Sequence, residues 1–103
     1  MKKFIKMMAL TAAAIGMSAG AAVAEPLKVG FLYLTTPGDH GWTYAHELAR
    51  QEVQAHFGDK VETTFVENVP EGPDAERVVR ELARQGNKVI FGTSFGYMDP
   101  MLK

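Results

Sequence analysis

A chain of 103 residues holds one domain at most. It has 47% hydrophobic and 22% charged residues and no cysteine, which excludes a disulfide framework and a thiol nucleophile. Three of its eleven basic residues and none of its twelve acidic ones lie in the first six positions, so the rest carries eight bases against twelve acids. That net charge of −4 is the wrong sign for nucleic acid or an anionic lipid surface.

The first segment reads as a secretory signal peptide over residues 1–24. Lys2, Lys3 and Lys6 precede an apolar, small-residue run from Met7 to about Gly20, and Ala22-Val23-Ala24 fits the small-x-small cleavage pattern. Cleavage is expected between Ala24 and Glu25. The apolar run is short of the roughly 20 residues that span a bilayer, so no membrane insertion is expected once the leader is cut. No lipid-accepting Cys ends the leader, so the product is expected to be free in the periplasm rather than a lipoprotein. The 79 residues after Ala24 lie close to the lower limit for a fold held by its core alone.

Leu27 to Leu34 is almost continuously apolar, as a strand covered on both faces would be. The next ten residues, Thr35 to Tyr44, form a strand-to-helix turn with one carboxylate (Asp39), one imidazole (His40), Gly38, Gly41 and the sole tryptophan, Trp42. Open α/β sheets place ligands at turns of this kind, beyond the carboxyl ends of their strands. Trp42 has two readings at this point: a ligand platform, or the first core-facing residue of the helix.

Apolar residues at Trp42, Ala45, Ala49, Val53 and Phe57 recur at spacings of three and four, which predicts a helix ending at Gly58-Asp59. Val61 to Val66 is β-branched but half polar, the pattern of a strand at or near a sheet edge. A loop from Asn68 leads to Pro73 and Asp74, a helix start. Ala75, Val78, Val79, Leu82 and Ala83 then form an amphipathic stripe that stops at Gly86. Lys88 to Thr93 predicts a third, buried parallel strand, and Ser94 to Pro100 a loop entering another helix.

The order βαβαβ predicts an α/β fold, the start of a doubly wound parallel sheet with right-handed crossovers. Three strands and the beginning of a helix make a poor independent unit, so the chain is expected to be the amino-terminal part of a longer protein. Strand order 2-1-3 would bring the loops after strands one and three to one crevice. Asp39, His40 and Trp42 would then face Thr93, Ser94, Phe95 and Tyr97. Aromatic faces with a few polar groups between them suit a planar, hydrogen-bonding ligand such as a nucleobase, where stacking contributes about 1–3 kcal/mol per base.

Catalytic and metal motifs fail on inspection. No G-x-G-x-x-G or G-x-x-x-x-G-K-[ST] occurs. His46-Glu47 begins like H-E-x-x-H, but Arg50 occupies the second histidine position, so no metal site is expected. Ser94 lacks a G-x-S-x-G context. Nothing in these residues specifies catalysis, and no cofactor is expected.

Five stretches carry a family resemblance: Lys28-Val29-Gly30-Phe31-Leu32-Tyr33, Gly38 to Tyr44, Val66 to Gly72, Leu82 to Gly86, and Phe91 to Asp99. Together they resemble the basic membrane protein (BMP) family of ABC-transporter substrate-binding proteins, which are exported type I periplasmic binding proteins. The resemblance covers essentially the whole segment after the leader. It implies two α/β lobes closing over a small ligand, a purine base or nucleoside in several members, and delivery to ABC permease subunits. It also implies that this chain is the start of the first lobe. Asp39 matches the acid of the family's Asp-Lys-Ser-Phe-Asn type motif, and Trp42 its stacking aromatic. His40 stands where the Lys would be and Thr43 where the Asn would be, leaving base and nucleoside both open. The expected ligand-binding residues are Asp39, His40, Trp42, Thr43, Ser94 and Phe95. Two other readings are an exported flavodoxin-like enzyme or sensor domain, marked by a nucleophile–base pair beyond this chain, and a truncated product without function.

Overall fold

The structure, a computed structural model, describes residues 24–103. The expected leader and its cleavage signal up to Val23 lie outside the described residues. Strand β1 (Leu27–Leu32) leads to helix α1 (Trp42–Phe57), strand β2 (Val61–Val66), helix α2 (Pro73–Arg84), strand β3 (Val89–Gly92) and the short helix α3 (Met98–Leu102). Single 3₁₀ turns precede β2 and α3. All three strands are parallel in the order β2-β1-β3, the predicted arrangement, with β1 in the centre. This is an open α/β sheet with helices on both faces, as the resemblance leads one to expect.

Alternation along β1 divides the core between the two sheet faces. Leu32 points to one face and packs with Val69, Ala75, Val78, Leu82 and Tyr97, beneath α2 and α3. Gly30 shares that face with Leu32, and Leu82 crosses close over it: a Cβ there would stand 3.2 Å from Leu82 Cδ1. Val29, Phe31 and Tyr33 form the core of the other face, beside α1. The register aligns Phe31 with Phe65 on one side and with Phe91 on the other, and Phe31 stacks on Phe91 at 4.9 Å.

One expectation is corrected. Strand β3 is parallel but not buried: Val89 is exposed and Phe91 is 51% exposed. It is an edge strand among the described residues, and no second helix shares the α1 face with it. The apolar stripe of α1 does not face the sheet as a continuous core. Ala45, Ala49 and Phe57 are exposed, and the buried residues of α1 are Thr43 and Glu47. Ala49 and Val53 instead border, with Phe31, His46 and Phe91, an open slot of about 290 Å³ beside β3.

Polar side chains fasten α1 to the sheet. The Tyr33 hydroxyl donates to Glu47 Oε2 at 2.8 Å, and Arg50 Nε donates to the same oxygen at 2.8 Å. A second Arg50 nitrogen pairs with Glu47 Oε1. Arg50 also donates to Thr63 Oγ1 at 2.9 Å and lies over the Phe65 ring. Gln54 bonds both the N–H of Thr63 and the carbonyl of Val61. A buried carboxylate is tolerated when its lone pairs are occupied and a cation faces it, and Glu47 meets both conditions. The Arg50 hydrogen bonds outweigh burial and hold the Glu47 pKa down to about 2. Burial, reinforced by Glu47, raises that of Tyr33.

Candidate functional site

The carboxyl ends of β1 and β3 open into two turns, and Trp42 joins them. Its indole N–H donates to the Thr93 carbonyl at 2.6 Å. Thr93 is itself fixed to the central strand, its hydroxyl donating to the Leu32 carbonyl at 2.6 Å. Tied at one edge, the indole is still 66% exposed, and its other near neighbour is the His46 ring, edge-on at 4.9 Å. Of the two sequence readings of Trp42, burial in the core is therefore not what the fold displays. The turn before it relies on Gly41, whose φ of 98° lies in the left-handed region and whose carbonyl accepts from Ala45 N–H as α1 begins.

Asp39 and His40 stand on the outer part of the same turn, almost fully exposed, with Asp39 Oδ1 2.6 Å from His40 Nδ1. An exposed pair of this kind contributes little to stability and can exchange partners with an incoming ligand. Thr43 is placed differently. It is buried, and its hydroxyl accepts from the Thr35 hydroxyl at 2.8 Å, bracing the turn from beneath.

On the β3 side the two aromatics part company. Tyr97 is fully buried, its hydroxyl donating to the Val69 carbonyl at 2.6 Å. Burial, with the Glu71 carboxylate nearby, pushes its pKa up to about 12. Phe95 is 87% exposed at the tip of the turn. Ser94 lies beside it, half-buried, and donates its hydroxyl proton to Glu71 Oε1 at 2.7 Å.

The topology thus brings Asp39, His40, Trp42, Ser94 and Phe95 to one edge of the sheet and turns the Thr43 hydroxyl inward. The sequence pattern did not single out the Thr93 carbonyl, since a backbone acceptor leaves no mark on residue identity. Nor did it single out Glu71. Among the described residues no group of three or more His, Asp and Glu side chains is placed to hold a metal ion. No described helix is long and apolar enough to cross a membrane.

The parallel sheet thus presents exposed aromatic and polar groups on two turns at its carboxyl edge, where open α/β sheets take their ligands. The family model for Bmp, described as ABC transporter substrate-binding protein PnrA-like, matches residues 27–103, and the chain belongs to this family. A purine-binding protein of Brucella abortus is 57% identical over 97 residues, which cover 94% of this chain and 28% of that protein. A Haloferax volcanii protein, named for a glucose-binding role in an ABC transporter, is 42% identical over 82 residues, covering 80% of this chain and 20% of its own length. The chain therefore spans under a third of the length of the curated relatives it matches.

Proposed function

We propose that this chain forms the first-lobe portion of an extracytoplasmic solute-binding protein that delivers a purine base or nucleoside to the permease subunits of an ABC importer, and that it catalyses no reaction. The observation that carries the reading is the Trp42 indole, held in place through its N–H yet with most of its surface open to solvent. A large aromatic left exposed and oriented by a hydrogen bond suits a ring that stacks on it. Phe95 offers a second apolar face from the neighbouring turn. Asp39 and Ser94 supply hydrogen-bonding groups with which the edge of a heteroaromatic ring can pair, and His40 orients Asp39. Thr43 contributes by bracing the turn. The 57% identity to a purine-binding protein supports the same ligand class.

Export follows from residues 1–24 acting as a cleaved leader, which places residues 25–103 outside the cytoplasm. A second reading is favoured by the Haloferax relative's name: aromatic platforms also take the apolar face of a sugar ring, so glucose is the competing ligand. Calorimetric titration of the full-length protein with adenine, hypoxanthine, guanosine and glucose tests the choice. Saturable heat with a purine and none with glucose is expected, and the reverse would establish the sugar reading.

A further inference from the structure

Gly96 poses a question that backbone conformation does not answer. Its φ lies outside the left-handed region, unlike those of Gly38, Gly41, Gly58, Gly72 and Gly86, so any residue could adopt its conformation. What glycine provides here is room for a neighbouring side chain. A Cβ at position 96 would fall on the Glu71 carboxylate, overlapping Oε2 and Cδ. Glu71, exposed in the loop between β2 and α2, thus lays its carboxylate against Gly96, where a larger residue would turn it aside, and there it accepts a hydrogen bond from the Ser94 hydroxyl at 2.7 Å.

The turn from Thr93 to Tyr97 is consequently clamped from three sides. Trp42 holds the Thr93 carbonyl, Glu71 holds the Ser94 hydroxyl, and the Val69 carbonyl holds the Tyr97 hydroxyl. Phe95 is the one large side chain of the turn left unengaged. A serine hydroxyl has a single proton, and once Glu71 takes it only acceptor lone pairs remain for any other partner.

We propose that Glu71 is a positioning residue for the ligand rim: seated over Gly96, it fixes the turn that carries Phe95 and makes Ser94 an acceptor toward a hydrogen-bond donor on the ligand. This rests on the purine reading for its ligand, though not for its clamp. Adenine and hypoxanthine differ in the right way, since the six-position amine donates where the oxo group accepts, and the neighbouring ring nitrogen reverses that pattern.

The test uses Glu71→Gln, Glu71→Ala, Gly96→Ala and Ser94→Ala in the full-length protein, with two readouts. Without ligand, exchange of the Tyr97 amide, which bonds the Ser94 carbonyl at 3.1 Å, should quicken at least tenfold in Glu71→Ala and Gly96→Ala. It should stay near wild type in Glu71→Gln, which keeps the shape, and β1 amides should not change. With ligand, Glu71→Gln can donate to Ser94 as well as accept. It should therefore shift the adenine-to-hypoxanthine affinity ratio at least tenfold, and that shift should vanish in the Ser94→Ala background. Unchanged Tyr97 exchange in both Glu71→Ala and Gly96→Ala would overturn the clamp. A ratio unmoved by Glu71→Gln would overturn the role in discrimination. A wild-type protein that binds neither purine would defeat the purine reading instead, and the exchange measurement alone would then decide the clamp.

Discussion

The indole N–H of Trp42 donates to the backbone carbonyl of Thr93 at 2.6 Å, bridging 51 positions of sequence and joining the two turns at the carboxyl edge of the sheet. One hydrogen bond thereby sets the orientation of the aromatic face offered to solvent. The bond and the face can be separated by substitution. Trp42→Phe in the full-length protein removes the bond and keeps most of the face, while Trp42→Ala removes both. Because the side chain is mostly exposed, Trp42→Ala should cost well under the about 3–5 kcal/mol typical of a buried Trp, as read by denaturant unfolding. It should cost about 1–3 kcal/mol in purine affinity, one to two decades in Kd. Trp42→Phe should fall between wild type and Trp42→Ala in affinity.

The Glu47–Arg50–Tyr33 cluster predicts a specific acid sensitivity. Arg50 lowers the folded-state pKa of Glu47 to about 2, below its value in the unfolded chain. A depressed carboxylate pKa contributes stability that is present above the unfolded value, near 4.5, and is lost as pH falls toward 2. That contribution is about 1–3 kcal/mol. Thermal melts from pH 6 to pH 2.5 should fall more steeply for wild type than for Glu47→Gln, with the two curves converging at the acid end. Parallel curves would show that Glu47 carries no such linkage.

This cluster also marks where the sequence stops being legible. Strands and helices were readable because apolar period and turn residues agree, as at Gly58 after α1 and Pro73 at the start of α2. The strand order could be argued from the half-polar composition of β2. The face that α1 turns to the sheet could not, because Thr43, Glu47, Arg50 and Gln54 are polar and pattern alone sends polar residues to water. Only the partners, Tyr33, Thr63 and Thr35, make that face the inner one. The same holds at the site: Phe95 and Tyr97 look alike in sequence, and the Val69 carbonyl that receives the Tyr97 hydroxyl separates them. Glu71 left only an indirect trace, a glycine at position 96 where no turn demanded one.

The crossing of Leu82 over Gly30 can be tested by a double-mutant cycle. Leu82→Ala should cost about 2–5 kcal/mol through the cavity it leaves. Gly30→Ala would put a Cβ 3.2 Å from Leu82 Cδ1, so Leu82 must yield by a few tenths of an ångström, and the substitution should be better tolerated in the Leu82→Ala background than in wild type. Together they should cost less than the sum, since the added methyl occupies part of the vacated space. Strict additivity would mean that the two do not meet.

Export is checked by mass spectrometry of the protein recovered from the extracytoplasmic fraction. The expected amino terminus is Glu25, with Lys2, Lys3 and Lys6 removed. Recovery of an intact Met1 terminus from the cytosol alone would contradict the leader assignment.

The central claim for this protein is that a purine ring is held at Trp42. Isothermal titration of adenine into wild-type and Trp42→Ala full-length protein, with glucose as the competing ligand, measures this most directly. The prediction is saturable adenine binding to wild type, weakened ten- to a hundredfold in Trp42→Ala (about 1.4–2.7 kcal/mol), with no heat from glucose. Equal adenine affinity in the two proteins, or saturable binding of glucose alone, would contradict it.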